Sequence, residues 1–174
     1  LIGLPPSLVE IYQSDIKNAY QANGVPLSLG LALINISAFV HLLIMSAILY
    51  AAAPVLFNAK LPEHPGTYFS GLVVLIAVSL SIASVIGLAV KDTANTSMVS
   101  ILLFLPSTML SGIMFPKEML PEAFVIAGKL FPASWGYEWM TAPGPSLQTF
   151  CPLLGIFLIA LMVCGVLLKR IRTR

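Results

Sequence analysis

Charged residues are scarce in this chain of 174 residues. Only 9% of the residues are Asp, Glu, Lys or Arg, and 58% are hydrophobic, whereas a soluble domain typically carries about 25% charged residues. The mean hydropathy is +0.95. Lipid must therefore replace water as the solvent for most side chains. The net charge of +2 is also too small to indicate nucleic-acid binding.

Motifs for nucleotide binding, metal binding and covalent catalysis are absent as well. Gly128-Lys129 is followed by Leu130 and lacks the upstream glycine of a phosphate-binding loop. There is no H-E-x-x-H and no cysteine pair at zinc spacing, and Glu63-His64 is an isolated pair in a polar stretch. No serine lies in a nucleophile elbow. We therefore expect a chain that is not an enzyme and binds no metal or cofactor.

What the chain has instead is four long apolar runs, at 29–53, 68–90, 98–115 and 150–168. About 20 apolar residues cross a 30 Å hydrocarbon core, so all four can span, the third only narrowly. None alternates with the period of two that a membrane β-strand shows. The sequence thus predicts an all-α integral membrane protein, a single domain with four transmembrane helices.

The distribution of Lys and Arg predicts the orientation. A cytoplasmic C-terminal tail (169–174) places the N-terminal segment and the loop after the second span inside as well. Six basic residues are then inside and three outside, in agreement with the positive-inside rule. The inside residues are Lys17, Lys91, Lys169, Arg170, Arg172 and Arg174, and the outside ones are Lys60, Lys117 and Lys129.

The segment 116–146 interrupts the pattern of spans. The third apolar run breaks at Gly112 and Pro116, and a short helix is predicted from Pro121 to about Phe131. That helix would rise only about 16 Å, half a bilayer. The aromatic residues that follow it (Trp135, Tyr137 and Trp139) are typical of a membrane–water boundary. The segment is predicted to be a re-entrant or interfacial element on the outer side.

Residues 1–28 are more polar and precede the first span. Tyr12, Ile16 and Tyr20 recur at helical spacing, which predicts a short amphipathic helix on the cytoplasmic side. Asn23-Gly24 would cap its C-terminal end, and Pro26 would prevent its continuation. Such a helix lies on the membrane surface or docks on a protein.

A few small or polar residues lie within the spans. Ser79, Ala83 and Gly87 form a small-xxx-small stripe, which fits packing within the chain or a dimer or substrate-path face. Asn35 and His41 are the most polar residues of the first span. They are either hydrogen-bonded bundle residues or part of a substrate path.

The outer break resembles a known family, the type-2 ABC transporter permeases. The resemblance rests on LSGIMFP (110–116), LP (120–121) and FPAS (131–134), and on the amphipathic segment before the first span. It covers nearly the whole chain as the last four of six expected spans, so the chain is interpreted as a fragment without the first two spans and their preceding helix.

This resemblance implies a permease subunit of an ABC exporter that forms the translocation path and catalyses nothing. A separate ATPase subunit would hold ATP and Mg, and a second permease subunit, identical or different, would complete the path. The expected location is a prokaryotic inner or plasma membrane, with lipid as the surroundings. Charge-free spans favour amphiphilic substrates such as lipid-like molecules, hydrophobic drugs or lipid-linked glycans.

Three groups of residues are expected to carry this function. The coupling residues that would contact the ATPase are Ile16, Lys17, Tyr20 and Gln21. The outer gate would consist of Ser111, Gly112, Pro116 and Pro121. The candidates for the substrate path are Asn35, His41 and Ser107.

Two other functions compete with this one. A non-transporting helical scaffold or anchor would have the same spans, and an adjacent ATPase reading frame would favour the permease over it. An ion-coupled carrier is disfavoured because no Asp, Glu, Lys or Arg lies inside the four predicted spans.

Overall fold

The computed structural model of the chain describes residues 1–12, 20, 22–144 and 146–172, and this part is all-helical, without strands. The predicted all-α fold class is confirmed. We label the helices in chain order: α1 (Leu4–Tyr12), α2 (Leu27–Phe57), α3 (Pro65–Ala89), α4 (Thr93–Leu110), α5 (Glu122–Gly128), α6 (Pro132–Thr141) and α7 (Leu147–Arg172). A 3₁₀ turn at Lys117–Met119 lies between α4 and α5.

Helices α2, α3, α4 and α7 are each long and apolar enough to cross a membrane. Helix α4 is the least apolar, with a hydropathy of 1.3 against 2.2 to 2.7 for the others. It begins where the Asp92 carboxylate accepts a hydrogen bond from the backbone N–H of Asn95, an N-cap at the end away from α5 and α6. The chain is therefore a multi-pass membrane protein with the four predicted spans.

The segment between α4 and α7 is more helical than the sequence predicted. Helix α4 ends at Leu110, five residues before the predicted limit of the third span. Helix α5 ends at Gly128 rather than near Phe131, because the chain turns there and Pro132 opens a new helix. That helix, α6, was not predicted from the sequence.

Helix α3 is the centre of the bundle and contacts α1, α2, α4, α6 and α7. One apolar cluster, at the end predicted to be cytoplasmic and here called the inner apolar cluster, joins α3 to α1, α2 and α7 through the buried residues Leu8, Tyr12, Leu27, Leu88 and Cys164. A second cluster, here called the outer apolar cluster, lies toward the opposite end, where Val78, Trp139 and Leu153 are buried together. Helix α2, by contrast, lies at the edge of the bundle with most of its apolar surface exposed.

Glycines on α3 and α6 allow close helix contacts. A β-carbon on Gly87 would lie 2.8 Å from Cβ of Leu8, so α1 crosses α3 where the side chain is smallest. A β-carbon on Gly71 would lie 2.8 Å from Cγ of Met140, and one on Gly136 would lie 2.8 Å from a methyl group of Leu75. Gly87 therefore packs against a helix of its own chain, which was one of the two interpretations of the small-residue stripe.

Prolines in the spanning helices gather at one end of the bundle. Pro54 lies in the last turn of α2, Pro65 opens α3, Pro106 lies in the last turns of α4, and Pro152 lies in the second turn of α7. Since neighbouring spans run in opposite directions, all four prolines lie at the end that carries α5 and α6. The opposite halves of these helices contain no proline.

Candidate functional site

The end of α4 is a tight, polar turn buried in the outer element. Ser111 is fully buried, and its hydroxyl donates to the carbonyl oxygen of Thr108 at 2.8 Å and accepts from the N–H of Ile113 at 3.3 Å. Gly112 follows with φ +92°, in the left-handed region that favours glycine. A β-carbon on Gly112 would lie 3.1 Å from Cε of Lys117 and 3.3 Å from Cε1 of Tyr137. Two of the predicted gate residues therefore form one closed turn.

The two other predicted gate residues, Pro116 and Pro121, precede short helical elements. Pro116 is the N-cap of the 3₁₀ turn, with φ −53°, and Pro121 is the N-cap of α5, with φ −55°. Both backbone conformations suit proline. Each proline lies just before a helical start, where its missing N–H costs nothing.

Two residues without a role in the sequence analysis hold α5 and α6 against the end of α4. A β-carbon on Gly128 would lie 2.5 Å from the carbonyl oxygen of Leu110. The buried hydroxyl of Ser134 donates to the carbonyl oxygen of Gly128 at 2.7 Å, and the Leu110 oxygen lies 3.5 Å away. The sequence signal that could have revealed the role of Ser134 is Pro132 in FPAS, because a proline commonly opens a helix.

An ion pair closes the outer element. The Lys117 ammonium donates to the Glu138 carboxylate, so the 3₁₀ turn is tied to α6. The two side chains are 26% and 36% exposed, which places the pair at the solvent-facing rim rather than in the core. Both residues lie in the segment predicted to be on the outer side, but their separation of 21 positions gave no sign of pairing.

The three aromatic residues after α5 do not form one boundary group. Trp139 is only 7% exposed and packs edge-on against Phe150, in the outer apolar cluster. Its indole N–H is buried and has no partner in the part of the chain that the structure describes. Trp135 donates to the carbonyl oxygen of Lys129 at 2.8 Å. Helix α6 therefore carries Trp139 into the apolar core, a burial that was not predicted from the sequence.

The N-terminal segment is bound to the inner ends of the spans. The buried hydroxyl of Tyr12 donates to the carbonyl oxygen of Leu27 at 2.6 Å and joins α1 to the start of α2. Burial, and secondarily the nearby Tyr20, raises the pKa of Tyr12 to about 12. The N–H of Val25 bonds to the carbonyl oxygen of Tyr20 at 2.9 Å and Gly24 has φ +69°, which confirms the predicted glycine cap.

Of the predicted coupling residues, the structure describes Tyr20 alone. Ile16, Lys17 and Gln21 lie outside the described residues. The Tyr20 ring is partly buried against the inner apolar cluster, and a β-carbon on Gly30 would lie 3.4 Å from its Cε2. Tyr20 therefore contacts α2 of its own chain.

The three candidates for the substrate path lie apart. Asn35 accepts a hydrogen bond from the Ser84 hydroxyl at 3.1 Å and donates to the carbonyl oxygen of Leu31 at 2.9 Å. His41 is exposed on α2, and Ser107 is buried on α4. These contacts make Asn35 a hydrogen-bonded bundle residue.

Asn35 also lines a groove of about 260 Å³ between α2, α3 and α7. The remaining lining is almost entirely apolar and includes Phe39, Ala77 and Leu161. The groove does not include His41 or Ser107. It is an intramembrane recess with one polar pair, formed by Asn35 and Ser84.

The family model for the ABC-2 type transporter matches residues 23–143. The matched region includes α2 to α6, and thus three spans and the outer element. No curated protein and no solved structure matches the chain significantly.

Proposed function

The chain belongs to the ABC-2 type transporter family, and from this membership we propose that it is the permease subunit of an ABC exporter. The chain is the membrane component of such a transporter. The observation that carries the proposal is the family match over a bundle of spans broken by the outer element. The subunit would form the translocation path, and ATP and Mg would be held by a separate ATPase subunit.

Coupling would begin at the inner end of the bundle. Closure of the ATPases on ATP would push on the segment before α2, and Tyr12 would transmit that displacement to Leu27 through their hydrogen bond. Helix α1 also contacts α3 and α4, so the push would reach three spans together. A second permease subunit facing this one would let the spans part on the outer side, where the turn at Gly112 shapes the gate.

The experiment uses the full-length protein with an affinity tag, purified from its own cells in mild detergent. We expect an ABC ATPase with a phosphate-binding loop to co-purify, and the reconstituted complex to move a fluorescent amphiphile in an ATP-dependent way. An amphiphile is chosen because the spans lack charge. Replacement of the ATPase's catalytic carboxylate is the control and should abolish transport while leaving the complex intact. Absence of any ATPase, together with intact membrane insertion, would favour a scaffold or anchor.

The proposed orientation has its own test. Single cysteines are introduced in place of Lys91, Lys60 and Lys129, in a background in which Cys151 and Cys164 are replaced. A membrane-impermeant thiol reagent added to intact cells should label positions 60 and 129 and spare position 91, as the positive-inside rule requires. Labelling at position 91 from outside would reverse the topology. The proposed location is a prokaryotic inner or plasma membrane.

A further inference from the structure

A second recess lies about one helical turn from the groove at Asn35, where α2 begins and α7 ends. This recess of about 750 Å³ is lined by the start of α2, including Leu27 and Ser28, and by Leu168 and Lys169 of α7. On α2, Ser28 precedes the groove residue Leu31 by about one turn, and on α7, Leu168 follows the groove residue Cys164 by about one turn. The two cavities therefore follow each other along the same pair of helices.

The groove is apolar and the inner recess is more polar, as are the acyl chain and the headgroup of a phospholipid. The groove lies within the apolar length of the spans, and its polar atoms at Asn35 and Ser84 are hydrogen-bonded to each other. The inner recess has more polar walls and is bordered by Lys169, the first basic residue of the tail. An apolar compartment about one helical turn from a recess bordered by a lysine fits a ligand with an acyl chain and an anionic headgroup.

We propose that the seam between α2 and α7 is a binding site for an anionic phospholipid. One acyl chain lies in the groove between α2, α3 and α7, and the phosphate lies in the recess beside Lys169. Arg170 follows Lys169 directly in the basic tail. In the orientation under "Proposed function", on which the choice of leaflet rests, the lipid belongs to the cytoplasmic leaflet, whose anionic lipids attract such basic segments.

The size of the groove agrees with a single chain rather than a large ligand. A volume of about 260 Å³ lies below the roughly 300–1,000 Å³ of drug-sized pockets, and an apolar cavity of about 150 Å³ already holds benzene. The groove residues on α2 run from Leu31 to Phe39, which is roughly 12 Å along a helix axis. This elongated shape parallel to the spans suits an acyl chain.

The experiment measures labelling of the full-length protein by phosphatidylglycerol that carries a diazirine on one acyl chain, in phosphatidylcholine vesicles. We expect labels on groove residues such as Phe39 and Leu161 to saturate as the probe fraction rises. Unlabelled phosphatidylglycerol should compete for these labels at least tenfold better than phosphatidylcholine. Labelling that rises in proportion to the probe without competition would show ordinary lipid contact and overturn the proposal. The proposal would also be overturned if the groove residues stay unlabelled, because another helix would then cover the groove.

Matched variants locate the two halves of the site. Ala77→Trp fills the groove and should remove the saturable labels, whereas Ala32→Trp, on an exposed position of α2, should keep them. Leu161→Phe narrows the groove from its exposed rim and serves if Ala77→Trp does not insert. Lys169→Gln should reduce the preference for phosphatidylglycerol about fivefold and leave chain labelling in place. Retained saturable labelling in both groove variants would contradict the site.

This labelling needs no ATPase and no transport. A complex that exports a substrate but shows no saturable label would refute the lipid site and leave the permease function intact. Conversely, saturable labelling of a protein without an ATPase partner would keep the lipid site and refute the permease.

Discussion

The backbone of Gly128 lies so close to the end of α4 that a β-carbon there would be 2.5 Å from the carbonyl oxygen of Leu110. Gly128→Ala should therefore force α5 away from α4 and destabilise the protein by about 1–3 kcal/mol. Gly155→Ala is the control, because nothing lies within 4 Å of that position in α7. Thermal unfolding in detergent should show a lower midpoint for the first variant only. Equal midpoints would mean that α5 is not packed against α4.

Gly112→Leu is expected to impair export while the ATPase stays bound. Its φ of +92° strains any side chain by about 1–3 kcal/mol, and the new side chain would displace Lys117 and Tyr137. Pro121→Leu should have a smaller effect on export, because other residues adopt the same backbone angles. Gly144→Leu, at an open position, is the control. Normal export with Gly112→Leu at normal expression would argue against a gate at this turn.

The ion pair between Lys117 and Glu138 should matter more for export than for stability. Because both side chains are partly exposed, the pair contributes only about 0.2–1 kcal/mol to stability. Lys117→Glu and Glu138→Lys should each slow export by loosening the 3₁₀ turn from α6. The double exchange should restore the rate, which is measured with vesicles at low salt. If the double exchange slows export by the sum of the two single effects, the ion pair has no role in transport.

Tyr12→Phe should remove an alkaline loss of stability. The pKa of Tyr12 is raised to about 12, while in the unfolded chain it is about 10. The unfolded state therefore loses its proton first, and this contribution to stability is complete below pH 10 and falls as the pH rises towards 12. The variant should be about 1 kcal/mol less stable at pH 8, since the bond to Leu27 is lost.

In denaturant titrations, the difference in the free energy of unfolding between wild type and Tyr12→Phe should then decrease from pH 10 to 12. Tyr50→Phe is the control, because that tyrosine packs on Tyr68 and Phe69 near the other end of α2. A constant difference in the free energy of unfolding over this pH range would contradict a buried Tyr12 side chain that stays protonated up to about pH 12.

Tyr20→Ala should release the ATPase subunit in a pull-down from the full-length protein. An aromatic anchor at an interface commonly contributes more than about 2 kcal/mol, or roughly thirtyfold in affinity. The ring also contacts α2, and Tyr20→Phe, which keeps the ring, is the matched control and should retain the ATPase. Lys17→Ala, a change predicted at the rim, should matter less. Undiminished binding with Tyr20→Ala would remove this segment as the coupling element.

The spans could be predicted from the sequence because hydropathy accumulates along a continuous run of residues. The outer element could be predicted only in outline, as a break at Gly112 with a short helix after Pro121. Its construction depends on contacts between distant residues: Gly128 touches a carbonyl oxygen, and Lys117 meets Glu138. Neither contact has a periodic signal.

The cap at Gly24 and the burial of Trp139 differ in how far the sequence could predict them. The cap at Gly24 could be predicted, because a glycine after a helical run supplies the positive φ that the turn needs. Trp139 could not be placed in the core from sequence, since an aromatic residue near a span end suits the boundary equally well. Its burial depends on α6 packing against α3 and α7.

The prolines gathered at one end of the bundle give the spans an uneven stiffness. Each interior proline removes a backbone hydrogen bond and weakens its helix at that turn. Pro54, Pro106 and Pro152 lie in the halves of α2, α4 and α7 nearest α5 and α6, whereas the opposite halves contain no proline. Under the proposed function, a force applied at the inner end would be carried along the proline-free halves and converted to bending only beyond these turns. Helices α2, α4 and α7 would then act as levers with flexible tips, and a small tilt at the inner end would splay the opposite mouth.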